Sequence, residues 1–132
     1  LHDALPIYVR IAQLHDQLYI KYGVFTIAVP SQAPNSFIVT GVSSTIIQAS
    51  WQLPPADSRH GIIRGFKLFY KNRCSTGSTT TLPINIGSIL STDVTGLENN
   101  TEYEFQVLAF TSAGDGPMSS PVLVKTLRHG NN

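Results

Sequence analysis

Four histidines, one cysteine and eight acidic side chains are the groups on which catalysis in this 132-residue chain would have to rest. Their spacing builds little. His60 has Asp57 and Ser58 beside it, the residue types of a nucleophilic serine with its base and an orienting acid. Such a triad needs the acid behind the imidazole and the serine in front of it, whereas three adjacent polar residues are ordinary composition for a turn. His2, His15 and His129 lie far apart in the chain, and no paired His or Cys spacing suits a metal ion. No glycine-rich loop precedes a helix in the way phosphate binding requires. The reading is a chain without a catalytic centre, cofactor or metal. Cys74, the single cysteine, allows no internal disulfide, and a domain of about 100 residues can bury enough surface to fold without one.

Groups that could bind are easier to find. Lys67, Lys71 and Arg73 alternate along the run 63–73, with Phe69 between the first two. Alternate residues of a strand stand about 6.6–7 Å apart, so these cations form a row that sulfates on a glycan could meet. Phe69, Leu108 and Phe110 share the outward parity of their strands, and three large apolar groups on one sheet face suit a protein partner. Asn99-Asn100-Thr101 is an acceptor pattern for an N-linked glycan at Asn99. A net charge of +1 gives no global field for nucleic acid or an anionic membrane. No apolar run reaches the roughly 18 residues of a membrane helix. The first residues lack the charged and apolar regions of a signal peptide, and the start without methionine reads as a fragment of a longer polypeptide.

The elements that position these groups change character along the chain. Ile7, Ile11, Leu14 and Leu18 recur at helical spacing, so residues 7–22 read as an amphipathic helix. Residues 22–29 are β-rich and suit the last strand of a preceding domain. This N-terminal extension, 1–29, gives way at 30–34 to a linker in which Pro30 and Pro34 bracket small residues. The period then becomes two. Residues 36–42 and 45–51 read as strands, the second with Ile47, Ala49 and Trp51 on one face. Pro54 and Pro55 end it, since proline cannot donate to a ladder. In 63–73, Phe66, Leu68 and Tyr70 share a face. A short edge strand at 79–82 and a longer one at 86–94 follow. In 101–111, Tyr103, Phe105, Val107 and Ala109 point inward, and 121–127 closes the domain. Seven short strands with regular turn signals predict an all-β, antiparallel, immunoglobulin-like sandwich over 35–128, with a tail at 129–132. The 42% hydrophobic and 13% charged content suits such a core rather than a disordered chain.

The landmarks resemble a known family, the fibronectin type III domain. Ala33-Pro34 resembles the proline ahead of its first strand, and Trp51 with Pro54-Pro55 the tryptophan and double proline of its second. Gly65-Phe66-Lys67-Leu68-Phe69-Tyr70 is similar to its third strand. Leu97, six residues before Tyr103, resembles its tyrosine corner, with the Tyr103 hydroxyl returning to backbone near Leu97. Tyr103 to Ala109 resembles its sixth strand, and 114–117 the loop that follows.

The resemblance implies that Trp51, Phe66, Leu68, Tyr70, Leu97, Tyr103, Phe105 and Val107 are structural core. It places the sixth strand beside the third, so that Glu102 and Glu104 face the cation row. Cross-strand pairing is then the simpler account of that row, and sulfated glycans are disfavoured as partners. Ala113 ahead of Gly114-Asp115 leaves out the arginine of an integrin-binding Arg-Gly-Asp. The role implied is a non-catalytic spacer or protein-interaction module of an extracellular adhesion or receptor protein, with neighbouring tandem modules and protein partners. The alternatives are an intracellular structural module of a giant muscle-type protein, or an accessory domain beside an enzyme such as a phosphatase.

Overall fold

The computed structural model describes residues 18–20 and 23–130. Ahead of the sandwich, β1 (Leu18–Ile20) and β2 (Gly23–Phe25) form a small antiparallel hairpin. The helix expected over 7–22 is therefore strand at Leu18–Ile20, and the remainder of that expectation lies outside the described residues.

The sandwich begins with β3 (Asn35–Gly41) and β4 (Ile47–Gln52), followed by a 3₁₀ turn at Ala56–Ser58. Then come β5 (Gly65–Asn72), β6 (Thr80–Ile84), β7 (Ser91–Val94) and β8 (Glu102–Thr111). Two strands finish it, β9 (Gly114–Asp115) and β10 (Val122–Lys125). One sheet has the order β3-β4-β7, and the other β10-β8-β5-β6 with β9 paired to the far end of β8, all antiparallel. The sandwich thus has eight strands where seven were expected. The extra one is β9, two residues that fold back on Phe110 and Thr111.

Alternation decides which side chains meet between the sheets. Ile47, Ala49 and Trp51 of β4 face Phe66 and Leu68 of β5 and Phe105 and Val107 of β8, all buried. The Trp51 and Phe66 rings lie 5.3 Å apart and tilted, while Tyr70 stacks on Phe105 at 5.4 Å. Both are spacings at which aromatic pairs attract. The Trp51 indole N–H is buried with no hydrogen-bond partner among the described residues.

The strand expected over 86–94 starts only at Ser91. The segment before it crosses from one sheet to the other. It turns at Ile86, whose carbonyl accepts the Ile89 N–H, and then offers the Leu90 carbonyl to the Trp51 N–H at 2.9 Å.

The chain enters and leaves at opposite ends. Residues 26–34, 53–64, 85–90 and 112–118 gather at the N-terminal pole. At the other pole the Asn100 N–H donates to the Leu127 carbonyl, and the Leu127 N–H to Ser43. β8, ten residues long, separates them. At ~3.4 Å per residue that is about 30 Å.

Candidate interaction surfaces

The row of cations is a row of ion pairs. The register places Lys71 opposite Glu104, and their charged atoms lie 3.8 Å apart. Arg73, one step beyond β5, reaches Glu102 at 3.3 Å and donates its own backbone N–H to the Glu102 carbonyl. Lys67 has no acid opposite it. Leu108 stands there, and the ammonium extends instead to Asp115 on β9 at 2.9 Å. Each cation in the row therefore has its own carboxylate, two supplied by β8 and one by β9.

The outward apolar triple is not an open patch. Leu108 is only 4% exposed and joins the buried residues, which corrects its expected place on an open partner surface. Two neighbours flank it. On one side is Lys67. On the other the chain returns from β9 and donates Gly116 N–H to Ala109 and Ser119 N–H to Val107, which brings 116–119 alongside Leu108. Phe110 is half-buried because its ring folds over Gly65, its register partner, and lies 2.7 Å from where a Gly65 Cβ would project. The Lys67 ammonium sits 5.7 Å above that ring, a cation–π distance. Phe69 is half-buried between Thr81 and Gln106. Sequence parity places these side chains on the outer face but does not show their cover, because Leu108 is flanked by the returning segment 116–119 and Phe110 folds down onto the glycine opposite it.

Around His60 the residues do not form a triad. Ser58 is buried, and its hydroxyl donates to the Pro55 carbonyl at 2.7 Å. The His60 Nε2 lies 3.1 Å from the hydroxyl of Ser31 instead. No carboxylate among the described residues orients that ring, and both partners are exposed. These contacts tie the chain ahead of β3 to the loop 53–64. The Ser31 N–H donates to the Ser58 carbonyl at 2.8 Å, the Ala28 N–H to His60 at 3.0 Å, and the buried Thr111 hydroxyl to the Ala28 carbonyl at 2.7 Å. Pro30 is fully buried against Gly116. The segment 30–34, read from composition as a linker, runs across these loops. Its Ser31 N–H is held by the loop 53–64, and Pro30 packs on the loop 112–118.

The opposite pole carries the tyrosine corner. Tyr103 buries its ring, and its hydroxyl accepts the Glu98 N–H at 2.9 Å. The Thr126 hydroxyl donates to the Glu98 carbonyl at 2.6 Å, so the same residue is held through both backbone groups. Asn99 and Asn100 sit exposed on this corner, and the Thr101 hydroxyl donates to the Asn99 carbonyl at 2.8 Å. Beside it, Asn72, Cys74, Glu98, Asn100, Thr101 and Lys125 border an open cleft of about 520 Å³. The exposed Cys74 thiol lies there among groups of both charges, Glu98, Glu102 and Lys125.

The arrangement has counterparts among known proteins. A 135-residue alignment to "Receptor-type tyrosine-protein phosphatase F" of Mus musculus is 36% identical and covers 96% of this chain and 7% of that protein. It therefore takes in most of the residues ahead of the sandwich. "Protein sidekick-1" of Gallus gallus is 39% identical over 75% of this chain and 5% of its own length. The chain thus spans a small part of the curated relatives it matches. The crystal structure of the FN5 domain of Drosophila Lar superposes with a TM-score of 0.60 at 31% identity, covering 75% of this chain and 98% of that domain. Residues 32–125 match the Fibronectin type III domain family, and with the two sheets, the buried Trp51 and the Tyr103 corner in place, the chain belongs to that family.

Proposed function

We propose that the chain is a non-catalytic spacer and protein-interaction module, residues 35–128, of an extracellular adhesion or cell-surface receptor protein. Residues 1–29 would be part of what precedes it in the same polypeptide, and 129–132 a tail. The observation that carries the reading is the separation of the two ends. The chain comes in at a pole made by 53–64 and 112–118, and goes out about 30 Å away beside the 98–101 corner. A module built this way advances a polypeptide from bead to bead. Its partners would be neighbouring tandem modules and other proteins, with no nucleic acid and no membrane insertion in this segment.

Relatives named as receptor-type phosphatases and as sidekick proteins support a cell-surface setting. The phosphatase names also favour the accessory-domain reading, with chemistry carried elsewhere in a much longer chain. The two readings agree on what this segment does.

Asn99 offers the test, because its corner is exposed and its side chain is not used by the fold. The native full-length protein is isolated from cells and treated with an enzyme that removes N-linked glycans. A faster-migrating product that is absent when Asn99→Gln is introduced supports the extracellular reading. No shift in wild-type protein, together with inaccessibility to a surface-labelling reagent, would sink it in favour of an intracellular structural module.

A further inference from the structure

The loop between β5 and β6 concentrates hydroxyls that the fold does not use. Every residue from Ser75 to Thr81 except Gly77 is serine or threonine, and the whole run is exposed. Elsewhere hydroxyls hold backbone: those of Ser43, Ser58, Thr111, Ser119 and Thr126 each bond an N–H or a carbonyl. In this run only Ser75 does so, accepting the Gly77 N–H at 2.9 Å. The hydroxyls of Thr76, Ser78, Thr79, Thr80 and Thr81 have no partner among the described residues. Residues 76–79 also lie outside any strand, so they are open to an enzyme that must take up an exposed stretch of chain. Pro83 follows, and a serine- and threonine-rich segment with proline is the composition that accepts O-linked sugars.

The same loop leads into the least guarded edge of the sandwich. A free strand edge invites pairing with another chain, and proteins blunt it with charge, proline or a bulge. Among the outermost strands of the two sheets, β7 carries Asp93, β10 carries Lys125, and β3 has an irregular register between Asn35 and Ile38. β6 has Pro83, but ahead of it stand Thr80, Thr81 and Leu82, uncharged and β-prone. No charged residue occurs anywhere from Ser75 through Thr92. Sugars on 76–79 would supply, next to Thr80, the bulk and hydration that no charge provides. The loop also starts beside the Asn99 corner. The Asn72 amide donates to the Glu98 carboxylate at 3.1 Å, and Cys74 and Ser75 border the same cleft as Glu98 and Asn100.

We propose that Thr76, Ser78 and Thr79 are acceptors for O-linked glycans added on the secretory route. The donor is an activated sugar, a hexose or N-acetylhexosamine carried on a phosphate or nucleoside diphosphate. The hydroxyl oxygen bonds to the anomeric carbon, and the bond from that carbon to the phosphate oxygen breaks, its electron pair leaving with the phosphate. The hydroxyl proton passes to a base of the transferase. The inference rests on the extracellular reading, which brings the loop and such a transferase into one compartment.

Mass spectrometry of the native full-length protein from cells tests this. Cleavage after arginine and after aspartate releases Cys74–Asp93, which holds the whole hydroxyl run and leaves Asn99 on another peptide. That peptide is expected to carry hexose or N-acetylhexosamine increments, the increment identifying the donor, with fragmentation placing them on Thr76, Ser78 or Thr79. Alkaline β-elimination should remove them, as it would not remove an N-linked glycan. In Thr76→Ala/Ser78→Ala/Thr79→Ala they should be lost while Tm is unchanged, since these exposed side chains hold nothing in the fold. A bare peptide, a phosphate in place of sugar, or sugar confined to other hydroxyls of the peptide would overturn the inference. A bare peptide beside a glycan at Asn99 would do so and leave the extracellular reading standing. Sugar found only on protein that a surface-labelling reagent cannot reach would overturn both.

Discussion

Replacing Tyr103 by Phe removes one oxygen and leaves the ring where it is. The consequence can be worked out because the hydroxyl accepts the Glu98 N–H at 2.9 Å. A net hydrogen bond of this type contributes about 1 kcal/mol, and a donor left without a partner costs about 1–3 kcal/mol. Glu98 is exposed, so water recovers part of the loss. The expected destabilisation is therefore about 1–2 kcal/mol. For a domain of this size a 1 kcal/mol loss lowers Tm by roughly 4–8 °C. In urea the midpoint should move down by about 1 M with an unchanged slope, since the surface exposed on unfolding is the same. Thr126→Val supplies a cross-check, because the Thr126 hydroxyl holds the Glu98 carbonyl at 2.6 Å and accepts the Thr101 N–H at 2.9 Å. Two groups that restrain one residue should couple, so the double variant should differ from additivity by about 0.5 kcal/mol or more. A Tyr103→Phe midpoint within about 0.2 M of wild type would refute the corner as a source of stability. Strict additivity with Thr126→Val would refute the idea that the two act on a shared residue.

Gly65→Ala should be among the most damaging single substitutions. A Cβ there meets the Ile84 carbonyl oxygen and the Phe110 ring, and overpacking of this kind costs about 1–3 kcal/mol or more; a Tm within about 2 °C of wild type would contradict it. Gly116→Ala places a Cβ 2.8 Å from the Pro30 Cβ and 2.9 Å from its carbonyl oxygen. It should raise amide exchange at Ala28 and Ser31 about tenfold, as a loosening of ~1.4 kcal/mol would, while the Trp51 amide keeps its protection; equal acceleration everywhere would point to global destabilisation instead. On a sulfated matrix at about 0.15 M salt the wild-type domain should not be retained through Lys67, Lys71 and Arg73, because these cations are already paired. Glu102→Gln/Glu104→Gln should create retention that salt abolishes, and wild-type retention lost on neutralising Lys67 and Lys71 would reinstate the glycan reading.

Much of the sandwich was legible in the sequence because its strands are buried on one face only. Period-two alternation placed Ile47, Ala49 and Trp51 on the core side of β4, and Phe66 and Leu68 on that of β5. The ion pairs were half legible. Glu102 and Glu104 followed from strand adjacency, but Asp115 did not, since its approach to Lys67 depends on the two-residue strand β9. The burial of Leu108 was not legible either, because its cover is the segment 116–119 that returns after β9. Parity fixes which way a side chain points relative to its sheet, and burial depends also on what returns over that face. The segment 86–90 looked strand-like from Ile86, Ile89 and Leu90, yet its task is to pass between sheets. The Ser31–Ser58 and Ala28–His60 contacts left no trace in composition, because backbone groups make them and any sequence carries those.

The distribution of apolar and charged groups bears on how such a module meets its neighbours. On the outer face of the larger sheet, Lys67, Lys71 and Arg73 are matched by Asp115, Glu104 and Glu102, and the first of these pairs also covers Phe110. A partner approaching that face would have to separate half-exposed ion pairs worth little to the fold and still desolvate both charges. The register of the smaller sheet puts Ile38, Thr40, Gln48, Ser50, Ser91 and Asp93 outward, a surface with one charge and one large apolar residue. Neither face gathers the apolar area that drives association. The N-terminal pole does, with five exposed hydrophobics beside a backbone already tied down by three hydrogen bonds at Ala28 and Ser31. Ordering that segment has cost its conformational entropy before any contact is made, so burial at the pole yields more net stabilisation than an equal area on a flexible linker. The exposed apolar area of this sandwich is accordingly concentrated at one end of its axis rather than on either sheet face.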